Sequence, residues 1–419
     1  MNLTTTIDRR LIPSHRSCHR HVKVVILAPE APARGQRQPV NIAFVLDRSG
    51  SMGGGKFRLA QQAIKQAIAR LDPRDRFSLV VFDDQVELVH PSEYATHGAC
   101  RRALVALDRY GPRGSTNLGE GWLVGCSQVA EALSDNSVGR CMLLTDGQAN
   151  VGIVDAPTLS HHAAELRNRH VSTSTFGVGH DFDEQLLGPM ADAGGGAFRY
   201  IEHAEQIPAL MDQELGETLE VVARRVVLEL TLPAGVTVSA VGPYEVEVGA
   251  GVARIRLPDL VSGQLFDLPI KLGFPAGVLD SHLQVGFRLE DRDGVLLGLQ
   301  DVVEVRYASP EVNRSQARDV EVDHFVAERY AARAMQDAAR LNRDGDYQGA
   351  AHALRSVARR IQRYAGADAQ LNSVSSTLSS EAEAYQAPVS TSKRKADYAR
   401  SQAQSSSRAL TGERQRWKV

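Results

Sequence analysis

Between residues 41 and 222, short strand-like runs, most of them apolar, alternate with longer segments whose apolar residues recur every three or four positions. The runs lie at 41–46, 77–82, 86–89, 141–144, 171–178 and 197–201, and the periodic segments at 56–71, 98–108, 118–133, 157–169, 183–193 and 204–222. In 56–71 the stripe is formed by Leu59, Ala63, Ile64, Ala67 and Ile68, and Asp72-Pro73 ends it. A strand that is apolar on both faces must be covered on both, and helices between successive strands supply that cover. The predicted fold class is therefore α/β, a doubly wound, mostly parallel sheet. Only Asp83-Asp84-Gln85 separates the runs at 77–82 and 86–89. That is too short for a crossover between parallel strands, so the pair predicts a hairpin and one antiparallel edge strand.

Two of the runs end abruptly in an acid. Phe44-Val45-Leu46 leads into Asp47-Arg48-Ser49-Gly50-Ser51-Met52, and Cys141-Met142-Leu143-Leu144 leads into Thr145-Asp146-Gly147. In a parallel sheet both acids stand at the same edge, beyond the carboxyl ends of the strands, where ligands of open α/β sheets bind. A third loop, Gly111-Pro112-Arg113-Gly114-Ser115-Thr116-Asn117, precedes the helix from 118 and reaches the same edge. Carboxylates and hydroxyls offer only oxygen, which suits a hard cation such as Mg²⁺ better than zinc or iron. Each piece alone has a simpler account: Ser49 and Ser51 as helix caps, Asp146-Gly147 as a turn. Their joint occurrence on three loops favours the cation. Gly50-x-x-x-x-Gly55-Lys56 has the outline of a phosphate-binding loop, but Phe57 stands where a Ser or Thr would hold Mg²⁺. A bound Mg²⁺ can also activate water, yet no histidine or lysine is placed by motif as a base and no G-x-S-x-G occurs.

Taken together, Asp47-x-Ser49-x-Ser51, Thr116 within Gly-Ser-Thr-Asn and Asp146 within Thr-Asp-Gly resemble the metal-ion-dependent adhesion site of von Willebrand factor type A (VWA) domains. All five positions are filled in the family's order, and the resemblance covers residues 39–222. It implies that Ser49, Ser51 and Thr116 supply hydroxyl oxygens and that Asp47 and Asp146 act directly or through water. The implied cofactor is Mg²⁺, with Mn²⁺ or Ca²⁺ as alternatives. The implied function is a non-catalytic, Mg²⁺-dependent protein-binding adaptor. Mostly neutral ligands leave the ion charge and an open position, which an Asp or Glu carboxylate of a partner protein completes. Family analogy extends the partners to AAA-type ATPases. The alternatives are a metal-dependent phosphoryl hydrolase and a scaffold with an inactive metal site.

At 419 residues the chain exceeds one ordinary domain. Residues 1–38 form an N-terminal segment whose strand at 21–27 has no place in the α/β sheet and is assigned to a second domain. His15, Cys18, His19 and His21 lie there on a stretch read as exposed and irregular, as solvated side chains rather than ligands. Beyond 223 the period changes to two, with Val226, Leu228, Leu230 and Leu232 alternating with their neighbours. This predicts an antiparallel β-sandwich over 223–310. A helical hairpin is expected within 311–385, broken at Asn342-Arg343-Asp344-Gly345-Asp346, and a disordered basic tail at 386–419. The net charge of −2 gives no pull toward nucleic acid or anionic membrane. No run approaches the roughly 18 apolar residues of a membrane helix. Residues 1–20 lack a signal-peptide core, and the four cysteines are scattered, so the expected location is the reducing cytoplasm.

Overall fold

The computed structural model describes residues 1–31, 37–405 and, for the backbone alone, 408–409. The chain divides into two compact units, Ala31–Val221 and a second made of Met1–Glu30 with everything from Val222 onward. It begins with three strands of the second unit: β1 (Asn2–Ile7), β2 (Leu11–Pro13) and β3 (Cys18–Leu27).

The α/β unit follows without interruption: β4 (Val40–Asp47), α1 (Lys56–Ala69), β5 (Arg76–Phe82), β6 (Val86–Tyr94), α2 (His97–Leu107) and α3 (Leu118–Glu131), then β7 (Val138–Thr145), α4 (Ala156–Asn168), β8 (Val171–Val178), α5 (Glu184–Ala193), β9 (Gly195–Ile201) and α6 (Ile207–Leu219). The strand order is β6-β5-β4-β7-β8-β9. All pairs are parallel except β5–β6, the expected antiparallel edge. The apolar runs hide a period of two. Ile42, Phe44 and Leu46 face a core closed by α1, α2 and α6, whereas Ala43 and Val45 face one closed by α3, α4 and α5. Continuous apolarity is therefore two alternating faces, each covered by its own helices. α3 lies close to the sheet. A Cβ at Gly125 would meet Val45 at 2.3 Å, and one at Gly121 would meet the Phe82 ring at 2.6 Å. From β4 the chain builds outward to β5 and β6, then returns to lay β7 on β4's other side. The topological switch point thus falls between β4 and β7.

The second unit resumes with β10 (Val221–Ala223), β11 (Val227–Thr231), β12 (Thr237–Ala240), β13 (Val246–Gly249), β14 (Val252–Arg256), β15 (Leu260–Val261), β16 (Leu265–Phe274), β17 (His282–Glu290) and β18 (Gln300–Ala308). One sheet runs β1-β3-β16-β12, the other β13-β14-β11-β17-β18-β2, and a single core draws on both, from Val22, Val24 and Ile26 to Leu228, Leu230 and Phe287. Helices α7 (Pro310–Ser315), α8 (Val320–Arg343), α9 (Tyr347–Ala365), α10 (Ala369–Ala384) and α11 (Thr391–Ser405) follow, and a two-residue strand β19 (Arg408–Ala409) pairs with β16.

Three expectations are corrected here. The N-terminal twenty residues are not irregular: β1 and β2 bury Leu3, Ile7 and Ile12. The three threonines of β1 are β-branched residues, which suit a strand. Where a helical hairpin is expected, residues 311–385 hold three long helices, α8, α9 and α10. The tail expected to be disordered is helical over Thr391–Ser405; residues 406–407 and 410–419 lie outside those described. A segment poor in apolar residues packs here because its polar groups find partners. Asp397 accepts from the Tyr385 hydroxyl at 3.0 Å and from Lys393 at 2.9 Å, and Asn342 donates to the Ala387 carbonyl at 2.8 Å.

His21 gives the second unit a pH signature. Its ring nitrogen lies 3.2 Å from the Tyr330 hydroxyl on α8. Burial, with the charges of Arg360 and Lys271, pushes its pKa from 6.5 down to about 4. The unfolded chain therefore takes up this proton first. The stability conferred is whole above pH 6.5 and falls away as pH drops toward 4. His21→Phe is expected to remove at most roughly 3 kcal/mol of that pH dependence. Urea unfolding of both proteins across this window measures it, and parallel pH profiles would refute it.

Candidate metal centre

β4 delivers Asp47 fully buried at the sheet edge, and its loop folds back on the carboxylate. The Ser49 amide donates to Asp47 Oδ1 at 2.7 Å, and the Thr145 hydroxyl at the end of β7 donates to Oδ2. Burial pushes the Asp47 carboxyl up to about 6, against the pull of the Thr145 and Ser49 hydrogen bonds and with a further rise from the Asp146 charge. A carboxylate so dehydrated is one that a cation would stabilise strongly.

Backbone hydrogen bonds strap the three loops together. The Gly50 amide reaches the Gly114 carbonyl at 3.2 Å, the Arg113 amide the Arg48 carbonyl at 2.7 Å, and the Asn117 amide the Asp83 carbonyl at 2.7 Å. Thr116 is held from the other side. Its amide donates to Asn150 Oδ1 at 2.9 Å, while the Asn150 amide returns a bond to its carbonyl at 3.1 Å. Beside these loops, the buried Arg48 guanidinium pairs with Asp83 at 2.9 Å and Glu87 at 2.5 Å and lies against Tyr110. Arg113 adds a second bond to Asp83 at 2.7 Å. Burial raises the Asp83 pKa, but the Arg113 bond, the Gln85 amide and the two arginine charges carry it below the usual carboxylate range.

Within this frame Asp47, Ser49, Ser51, Thr116 and Asp146 come together at one edge. Ser49 Oγ lies 3.0 Å from Ser51 Oγ, and Ser51 Oγ donates to Asp146 Oδ1 at 2.7 Å. Thr116 enters from the opposite loop. A Cβ built on Gly147 would sit 3.1 Å from Thr116 Oγ1, 3.7 Å from Ser51 Oγ and 3.8 Å from Asp47 Oδ2. Three oxygens from two loops therefore converge on one small volume that the glycine of the third loop leaves free. Hydroxyl and carboxylate oxygens around such a cradle fit a hard divalent cation.

The segment matching the VWA domain family model is residues 41–213. The chain carries a von Willebrand factor type A domain. Among curated relatives, Escherichia coli YfbK is 30% identical over 220 residues, which are 52% of this chain and 38% of that protein. Synechocystis sll0103 is 25% identical over 366 residues, 84% of this chain and 85% of that one. This chain thus spans less than half of YfbK but most of sll0103. A solved structure described as von Willebrand factor type A from Catenulispora acidiphila shares the fold with a TM-score of 0.70 at 19% identity, over 88% of each chain. VWA domains are in general metal-dependent protein-interaction modules. No described helix of this protein is long and apolar enough to cross a membrane.

Sequence reasoning missed several residues that build the VWA edge. Asn150 and Asp83, outside the motif, position Thr116 and the loop of Asn117, and Thr145, quoted there only as the neighbour of Asp146, fixes Asp47. Asp83 had been read only as a hairpin turn. Its burial was legible in no local pattern. Lys56, the lysine of the phosphate-loop outline, turns its ammonium to Asp146 Oδ2 at 2.5 Å and to the Ser51 carbonyl at 3.2 Å. Phe57 is buried in the core under α1. The lysine is thus spent on the acid edge, and the residue that follows it is a core phenylalanine rather than a hydroxyl for a nucleotide's metal.

Proposed function

We propose that Asp47, Ser49, Ser51, Thr116 and Asp146 hold Mg²⁺, and that the protein is a Mg²⁺-dependent adaptor whose partner offers an Asp or Glu carboxylate to the same ion. The observation that carries this reading is the convergence of oxygens from the other two loops on the Gly147 cradle. When bound, the ion supplies a positively charged point of attachment for an oxygen anion. The chain's own residues do the rest. Ser49, Ser51 and Thr116 offer neutral oxygens that leave the ion under-neutralised. Thr145 and the Ser49 amide fix the Asp47 carboxylate. Asn150 holds the threonine loop at its station. The cross-strapping makes the site rigid before a partner arrives, which lowers the ordering cost of binding.

Thr116→Ala tests the reading, because it removes one oxygen at the rim and leaves both backbone bonds to Asn150. Calorimetric titration with Mg²⁺ and Mn²⁺ is expected to show saturable binding by the native protein, weakened about tenfold or more in the variant. Any protein captured in Mg²⁺ should be released by EDTA and missed by Thr116→Ala. Binding indifferent to both would leave the scaffold reading in its place.

A further inference from the structure

Lys56 carries an inference beyond the identity of the ion, and it rests on reading this edge as a divalent-cation site. The residue opens α1 immediately after Gly55, whose φ of 101° sets the left-handed turn into the helix. Its side chain runs back over the loop rather than into solvent. Gly179, just beyond β8, leaves it room: a Cβ there would lie 3.7 Å from Nζ. The ammonium ends on Asp146, which has one oxygen on the Ser51 hydroxyl and the other on Lys56. The Asp146 side chain is 0% exposed and that of Lys56 26%, so the pair is only partly screened by water.

The edge thus holds two buried carboxylates, Asp47 and Asp146, and one built-in cation, which sits on Asp146. With Lys56 the donor set carries one net negative charge, and without it two. We propose that Lys56 sets the charge of the loaded site: it loosens the hold on the divalent ion and leaves the loaded site one net positive charge, which selects an anionic partner group. Neutralising Lys56 should therefore trade the two affinities against each other, tightening the metal and weakening the carboxylate.

The test uses the full chain and two variants, Lys56→Gln and Lys56→Arg, with Mn²⁺ as metal probe and acetate as carboxylate probe. Mn²⁺ affinity is read by calorimetry, and acetate binding by its displacement of water from bound Mn²⁺ in water-proton relaxation. Lys56→Gln is expected to bind Mn²⁺ on the order of tenfold more tightly and acetate correspondingly more weakly. Lys56→Arg keeps the charge and should stay near the native values for both. In EDTA, Lys56→Gln should melt below the native protein, since Asp146 loses its partner, and Mn²⁺ should restore it. Equal or weaker Mn²⁺ binding by Lys56→Gln overturns the proposal while leaving the cation reading standing, and so does an unchanged acetate response. Failure of the native protein to bind Mn²⁺ overturns the cation reading and this proposal with it.

Discussion

Gly147→Ala is expected to abolish divalent-cation binding while leaving the α/β unit folded. The added methyl would stand 3.1 Å from Thr116 Oγ1 and under 4 Å from Ser51 Oγ and Asp47 Oδ2. An ion held by those oxygens would need the space they border, and the methyl would narrow it. Gly147 is not among the glycines with a left-handed backbone, so alanine meets no conformational penalty there. Its tightest contact asks Thr116 to yield by a few tenths of an ångström. Stability should fall by less than about 1 kcal/mol, whereas Mn²⁺ affinity by calorimetry should fall about a hundredfold or beyond detection. Near-native affinity in this variant would mean that the ion does not sit in the cradle, and would sink the proposed geometry.

The largest expected effect on stability is at Trp122. This side chain of α3 is fully buried among Ala43, Val45, Leu143 and Met190, and its indole N–H donates to Thr173 Oγ1 at 3.1 Å. Trp122→Ala removes the packing and leaves a cavity, and costs about 3–5 kcal/mol. That is a large share of the 5–15 kcal/mol that typically holds a domain together. Trp122→Phe keeps most of the volume and leaves the Thr173 hydroxyl without its donor, a loss of about 1–2 kcal/mol. The chain has two compact units, so a single melting curve mixes their transitions. Hydrogen exchange of the β4 and β7 amides isolates the α/β unit. Protection lost there but kept in β16 and β17 is the expected outcome, and an alanine variant with native protection would contradict it. Because α3 begins directly after Thr116 and Asn117, the same variant should also weaken metal binding in proportion to the fraction unfolded.

The two predictions rest on features of different visibility in the sequence. The five motif positions and the strand–helix alternation could be read directly. An acid at the end of an apolar run and a Gly-Ser-Thr-Asn loop are local, and local patterns survive without a partner in view. Gly147 could be read as a turn, but its role as the floor of a three-loop cradle could not. That role depends on oxygens of Thr116, Ser51 and Asp47, about thirty to a hundred positions before it in the chain. Trp122 was one apolar residue on a helical stripe. The glycines at 121 and 125, which let α3 approach the sheet and seat that indole, show their purpose only against Phe82 and Val45.

The misreadings have one physical origin. The segment 1–20 was taken as irregular because its polar content outweighs its apolar content. Strand pairing nonetheless needs only alternate inward residues, and Leu3 and Ile7 suffice once β3 stands beside them. The tail beyond 386 was taken as disordered because it buries little apolar surface. Its helix instead offers the Asp397 carboxylate to the Tyr385 hydroxyl, and the Ala387 carbonyl ahead of the helix accepts from Asn342. In both places long-range pairing supplied what local composition lacked.

What the sequence determined alone was therefore the identity of the α/β fold and the chemistry of its edge, because periodicity, strand-end acids and hydroxyl spacing are properties of neighbouring residues. What the tertiary structure decided was how those groups meet: that Thr145 and Asn150 fix Asp47 and Thr116, that Lys56 turns back onto Asp146, and that Gly147 keeps the volume between them clear. Charge balance and cavity shape at a site depend on which distant groups the sheet brings within a few ångströms, and only the folded chain specifies that.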